Sequence, residues 1–355
     1  MKRTATHAGS WYLGDKEALD EQLTRFLGNV PDSSYEHGQL PVPGARIVIA
    51  PHAGYSYSGP TAAWAYKSWD VSKVKRVFLV GPSHHVYLSS CATSGCTVYE
   101  TPLGDLPIDT DTIAELDKSG KFQKMTRTVD EEEHSLEMHL PYIYKMMSLS
   151  SEGIRPIVPI MVGALNKKSE QEFGKLLAKH IKDPSNGFVI SSDFCHWGAR
   201  FQFTNYVEDA RCSRVRRLES PNNLRQIVKP DIPIYKSIEM MDYLGMDVAS
   251  DGSHEEWTEY LEHTRNTICG RHPIGVILAG VEYLREKEGI ELPIEERLPS
   301  PGTRDAEQVA KGEIKKEDAI KYSFGKICWV QYKQSSHCKS LADSSVSYAS
   351  GFAKA

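Results

Sequence analysis

The chain has 355 residues, 40% of them hydrophobic and 25% charged, which is ordinary globular material with enough length for one large core or two smaller ones. A formal net charge of -5 excludes a general basic field for nucleic acid or anionic membrane. Seven irregularly spaced cysteines argue for a reducing compartment, and no stretch is apolar for the ~20 residues a bilayer requires, so the expectation is a soluble cytoplasmic protein with nuclear entry left open.

The first element, "DKEALDEQLTRFLGNV", places Leu19, Leu23, Phe26 and Leu27 on one helical stripe, as a core-facing helix requires. A strand over residues 46–50 follows and exits into "APHAGY", delivering His52. Residues 75–80 form a second apolar run that ends at Gly81-Pro82 and opens onto His84 and His85. Adjacent side chains on extended backbone point to opposite faces, so His84 and His85 do not share one ion, and His85 is the weaker ligand of the pair. The Cys91 and Cys96 pair has no second pair nearby and reads as structural.

In "DEEEHSLEMHLPY", His134 and His139 are separated by about 140° on a helix and do not share a face, whereas His134 and Glu137 at i and i+3 can meet behind a pocket. Asp130 to Glu133 equally suit the positive end of a helix. A third strand is read at 155–160, then a helix burying Phe173, Leu176, Leu177 and Ile181. A fourth strand, 187–191, runs into "SSDFCHWG", which carries Asp193, a core-facing Cys195 and His196. In "NTICGRHPIG", Cys269 and His272 precede a buried helix with Pro273 near its first turn. Residues 285–321 are charged and Pro-bearing and read as a surface insertion before a fifth strand at 326–332; the tail "SSVSYASGFAKA" closes the fold near the pocket.

Nearly continuous apolar strands interleaved with helices predict a single-domain α/β sandwich, residues 1–355, around a mostly parallel or mixed central sheet. Ligands of such sheets settle beyond the carboxyl ends of the strands. His52, His84 and His196 each follow a strand within a few residues, so three imidazoles can share one crevice if those strands are parallel neighbours, and a thiolate at Cys269 can complete the site. Imidazole and thiolate suit copper, iron or zinc and suit magnesium or calcium poorly. His7, with Trp11 and Tyr12, either lines this pocket or anchors the first segment. His37, His180, His254, His263 and His337 sit in polar or helical surroundings and read as surface residues.

Seven ordered motifs, "THAGSWY", "APHAGYSYSG", "GPSHHV", "DEEEHSLEMHLPY", "SSDFCHWG", "NTICGRHPIG" and "DSSVSYASG", resemble the MEMO family from about Thr4 to Gly351. That family is named for mediating receptor-driven cell motility and is similar in fold to the class III extradiol dioxygenases. The resemblance implies metal ligands at His52, His84 and Cys269, a copper or iron ion as cofactor, and His196 as an acid or base, with Asp193 placed to orient its ring. The dioxygenases carry a glutamate where Cys269 stands, and a thiolate favours copper and is itself oxidisable. Three functions follow from the resemblance: a copper or iron redox protein that generates superoxide or buffers metal in signalling, motility or growth form; a dioxygenase acting on a small aromatic; and a non-enzymatic module holding phosphotyrosine peptides, for which Arg200 and Arg271 are the available arginines. Metal ion, small aromatic ligand and phosphotyrosine peptide are thus the candidate partners.

Overall fold

The computed structural model describes the whole chain apart from residues 35, 300–302 and 316–318. Its centre is a mixed sheet. The strands are β1 (Ala45–Ala50), β2 (Arg76–Pro82), β3 (Cys91–Thr93), β4 (Phe122–Lys124), β5 (Ile157–Val162), β6 (Asn186–Ser191), β7 (His196–Trp197), β8 (Ile327–Gln334) and β9 (Ser345–Lys354), in the spatial order β7-β9-β1-β6-β2-β5-β3-β4, with β8 pairing β9. β1, β6, β2 and β5 are mutually parallel; β9 runs antiparallel to β1, and β3 antiparallel to β5.

The apolar runs form strands because they are covered on both faces: every residue of β1, β5 and β6 is buried. The helices are α1 (Lys16–Gly28), α2 (Tyr55–Ser68), α3 (Lys167–Lys182), α4 (Ile234–Asp251) and α5 (Arg271–Lys287). The crossover from β1 through α2 to β2 and that from β5 through α3 to β6 run in opposite directions along the sheet, so right-handed connections place the two helices on opposite faces. α1 buries Leu19, Leu23, Phe26 and Leu27, its N-terminus capped by the Asp15 side chain on the Ala18 amide. Full burial of each leucine contributes about 1.5–3 kcal/mol. α3 turns Phe173, Leu177 and Ile181 inward, while Leu176 stays half-buried at its margin. α5 is apolar and buried from Pro273 to Val281 and lays Ile274 and Ile277 against Ile47 and Ile49 of β1.

All five expected strands are present, displaced by at most two residues. The tail lies beside the Phe194–Trp197 segment, near the pocket as read, and it does so as an unforeseen strand: "SVSYASGFAK" is the ten-residue β9, inserted between β1 and β8. Its Ser, Ala and Gly content hides strand character, because it is pairing on both sides, and not side-chain propensity, that holds it extended. The segment 285–321 begins inside α5, which continues to Lys287; Leu292 is buried, Ile294–Arg297 and Arg304–Ala310 are short helices, and residues 300–302 and 316–318 of that reading lie outside the described residues.

Three histidines read as surface residues are instead buried. His180 packs its ring on Phe78 with centroids 4.9 Å apart, His37 meets Phe352 edge-on at 5.1 Å, and His254 is fully enclosed against Glu170. Each lies in a locally polar stretch whose inward face only the tertiary packing defines. His263 and His337 are exposed, as read. All seven cysteines are free, Cys91 and Cys96 among the buried ones. No helix among the described residues is long and apolar enough to cross a membrane.

Candidate metal centre

The carboxyl ends of β1, β6 and β2 lie side by side, and their exits converge. β1 releases His52, β2 releases His84, and β6, between them, releases Ser192 and Asp193. This is the juxtaposition that the strand exits require. The loop 265–270 ahead of α5 reaches over from outside the sheet and supplies Cys269. Gly270 permits its approach: a Cβ there would stand 2.3 Å from Ser192 Cβ and 2.4 Å from the Ser191 carbonyl oxygen.

Ligand atoms of His52, His84 and Cys269 all lie within 4.8 Å of one another, and Cys269 Sγ is 3.3 Å from His52 Nε2. The hydrogen bonds behind the two rings set their tautomers. The Ser191 hydroxyl donates to the Ser135 carbonyl (2.8 Å), so it must accept from His52 Nδ1–H at 2.6 Å. His84 Nδ1–H donates to Glu133 Oε1 at 2.8 Å, and the His84 backbone N–H donates to Glu133 Oε2 at 2.6 Å. Burial pushes Glu133 upward, but the bonds from His84 and the nearby His134 outweigh it and bring the carboxyl to about 2. Glu133 is therefore an acceptor at neutral pH. Both rings consequently hold their proton on Nδ1 and present the Nε2 lone pair.

Burial, reinforced by His84 and His134, keeps His52 well below its ordinary value and neutral. Burial and the neighbouring Asp193 push the Cys269 thiol well above its ordinary value. An ion arriving here would replace the thiol proton and meet three donors already oriented, which fits a soft or borderline cation.

Asp193 and His196, paired in the sequence reading, have separate partners. Asp193 Oδ1 accepts the His52 backbone N–H at 2.8 Å, and the Asp193 backbone N–H points at Cys269 Sγ, 3.2 Å away. Burial, only partly offset by the His52 bond, lifts this carboxyl to about 7. Asp193 thus holds the His52 backbone and faces the Cys269 sulfur, and it does not hold the His196 ring. That ring donates from Nδ1 to the carbonyls of Phe194 (2.9 Å) and Thr267 (3.1 Å), leaving Nε2 unprotonated. Burial lowers its basicity, although those carbonyls pull the other way, and a charge on it is felt at His52.

A family profile described as Memo-like protein matches residues 3–295. The chain belongs to the MEMO family. It is 42% identical over 349 residues to Protein MEMO1 of Xenopus tropicalis, and 41% identical over 349 residues to that of Homo sapiens, in both cases covering 98% of this chain and 96% of the relative. A MEMO1 family protein of Schizosaccharomyces pombe is 38% identical over 358 residues, covering 99% and 98%.

Several features of this MEMO centre escape sequence reasoning. Glu133, not Glu137, stands behind His84; it caps the one-turn helix His134–Glu137 through the Ser135 amide, and the Glu-His step after an acidic run was the available signal. Glu137 instead accepts from Arg3 (2.7 Å), His7 Nδ1 (2.8 Å) and Tyr12 (2.8 Å), so the N-terminal motif is anchored by a buried carboxylate while the His7 ring packs on Trp11. His134 stacks on His84 with centroids 4.3 Å apart and with Trp11 at 4.5 Å, and burial drops it to about 3. His84, Glu133 and His134 form a second group of donors close enough for an ion, but it spends the carboxylate already bonded to His84. His139 is buried, its Nδ1 bonded to the Tyr66 hydroxyl at 2.7 Å. His85 is exposed and meets only the edge of His134. His272 turns away from Cys269 to donate to Glu170 at 2.6 Å. Arg200 stacks over Phe201 and Arg271 donates to the Ile268 carbonyl, each engaged within its own loop.

Proposed function

We propose that the chain binds a single copper or iron ion through His52 Nε2, His84 Nε2 and Cys269 Sγ, and serves as a metal-dependent redox or metal-buffering protein in the signalling and growth roles implied by the resemblance. The observation carrying this reading is the convergence of three donors with both imidazoles tied back through Nδ1. That arrangement removes the freedom to rotate before the ion arrives, so less entropy is lost on binding. When bound, such an ion supplies one-electron exchange with dioxygen. The chain's own residues do the rest: Ser191 and Glu133 orient the rings, Asp193 steadies the His52 backbone and the sulfur, and His196 presents Nε2 as a site for a proton.

The position of Glu133 favours this reading over ring cleavage of a small aromatic. A ring-cleaving iron site places a carboxylate on the ion, whereas here the Glu133 carboxylate stands behind an imidazole and the third donor is sulfur. The peptide-holding reading receives less support, because Arg200 and Arg271 are occupied locally. Anaerobic titration with Cu(I) and with Fe(II) tests the proposal. One equivalent should bind the intact protein, and Cys269→Ser and His84→Ala should each weaken binding by at least about a hundredfold, beyond what loss of an outer partner costs. Equal binding by all three proteins would sink it.

A further inference from the structure

Behind the centre, α4 buries one carboxylate that no ligand touches. Asp242 is fully enclosed, yet segments distant in sequence meet on it, those of Cys195, Asn266 and Tyr332, with the Ser347 side chain of β9 bonded to it as well. Oδ1 accepts the Cys195 backbone N–H (3.2 Å) and one amide hydrogen of Asn266 (2.8 Å); Oδ2 accepts the Tyr332 hydroxyl (2.8 Å). The second amide hydrogen of Asn266 goes to the Tyr260 hydroxyl, which donates onward to the Met241 carbonyl. Burial lifts Asp242 to about 6, so it remains an acceptor at neutral pH.

The two segments joined at Oδ1 are those that carry the chemistry. Cys195 precedes His196 and follows Asp193 by two residues; Asn266 precedes Thr267 and Cys269. Beyond the carboxylate the segments clasp each other: the His196 N–H donates to Thr267 Oγ1 (2.9 Å), Thr267 Oγ1 donates back to the His196 carbonyl (2.8 Å), and the Thr267 carbonyl holds His196 Nδ1. On the far side the Gly270 N–H donates to Ser192 Oγ at 3.2 Å.

We infer that Asp242 is a positioning residue: by joining the Asp193–Trp197 segment to the Asn266–Cys269 loop, it sets where the Cys269 sulfur and the His196 ring stand relative to His52. The carboxylate adds to the Thr267 and Gly270 bonds of the clasp and to the Asp193 N–H contact with Cys269 Sγ, and it is the link that ties both segments to α4. The inference rests on the metal reading for its meaning, and the experiment separates the two.

Two readouts are made on Asp242→Ala, Asp242→Asn and, as a control of comparable stability loss remote from the centre, Leu19→Ala. The first is the alkylation rate of Cys269 in the metal-free protein, measured by peptide mass against buried Cys91, which reports global opening. The second is Cu(I) affinity by competition. Losing the brace frees the loop, so Asp242→Ala should alkylate Cys269 about tenfold faster with Cys91 unchanged, and bind Cu(I) about 10–100-fold more weakly. Asp242→Asn should stay within about threefold of the parent on both, since its oxygen still receives Cys195 and Asn266 and the Tyr332 hydroxyl can turn to accept the new amide. If Asp242→Ala does not fold, Tyr332→Phe, which removes a donor to Oδ2 together with that hydroxyl's bonds to Ser347 and Gln334, should still raise Cys269 alkylation about threefold. Unchanged Cys269 alkylation in Asp242→Ala, or in Tyr332→Phe where that stands in, would overturn the inference, as would an equal rise in Leu19→Ala. Failure of the parent protein to bind Cu(I) would instead remove the metal reading and leave the alkylation result to decide the brace.

Discussion

Two histidine clusters lie on the two sides of the loop 265–270, built from the same residue types and ending in opposite states. On one side His254 Nε2 and His272 Nδ1 both close on Glu170, each at 2.6 Å. Burial raises Glu170, but those two bonds outweigh it and bring the carboxyl below its ordinary value. On the other side His52 and His84 turn their protonated nitrogens outward, to Ser191 and Glu133, and leave two lone pairs and a sulfur facing one another. The first cluster satisfies its carboxylate from within the protein and so serves stability. In the second, the outer partners take up the N–H groups and leave the two Nε2 atoms and the sulfur near one another, the arrangement on which the metal proposal rests. The ring nitrogen alone does not separate the two, since His272 is also held through Nδ1; the difference is that both rings of the first cluster close on one shared carboxylate, whereas His52 and His84 are held by separate partners and face a sulfur.

The largest expected effect would break this comparison if it appeared in the wrong place. Glu170→Ala should cost about 3 kcal/mol or more of stability, from a cavity and two stranded imidazoles, measured by denaturant unfolding. It should leave Cu(I) affinity within about threefold of the parent. A loss of affinity as large as the loss in stability would mean that the two clusters are one unit.

Glu133→Gln sharpens the other side. It should weaken Cu(I) binding by about 10–100-fold, because the amide no longer fixes the His84 tautomer. It carries a pH signature as well. The folded value of Glu133 lies near 2, below the ordinary 4.5, so its contribution is complete above about 4.5 and is lost as pH falls toward 2. The stability gap between parent and Glu133→Gln should be constant from pH 5 to 7 and close below pH 4.5. A gap that persists at pH 2 would contradict the assignment.

The smallest effect is expected from the His134 ring, which stacks on His84 and Trp11. His134→Ala should cost about 1 kcal/mol of stability through lost stacking on His84 and Trp11, with Cu(I) affinity changed less than about threefold. A loss comparable to that of Glu133→Gln would make His134 a ligand.

Legibility in the sequence followed the range of the interactions. The strands at β1, β2, β5 and β6 and the stripes on α1 and α3 were readable because periodicity and apolar runs record which faces are covered. His52, His84 and Cys269 were readable as candidates because turn residues and chemistry-bearing side chains sit together at strand and helix ends. Strand β9 was not, since small residues carry little local signal and its extended form comes from neighbours on both sides. Glu133 was missed in favour of Glu137 because the i and i+3 spacing was counted from His134 into the helix His134–Glu137, while the carboxylate behind His84 is the residue that caps that helix. His37, His180 and His254 looked exposed because a polar neighbourhood in sequence says nothing about which side the sheet covers.

By itself, then, the order of residues determined the kinds of element, the donors available and their location at the exits of buried strands, because all of these depend on neighbours within a turn or a strand. Tertiary structure alone decided that the β1, β6 and β2 exits adjoin, that a sulfur more than two hundred positions from His52 reaches it, and that Glu133, Ser191 and Asp193 lock the set from behind. Those outcomes depend on pairing and packing between distant segments, whose free energies appear only when the sheet is assembled and water has left its edges.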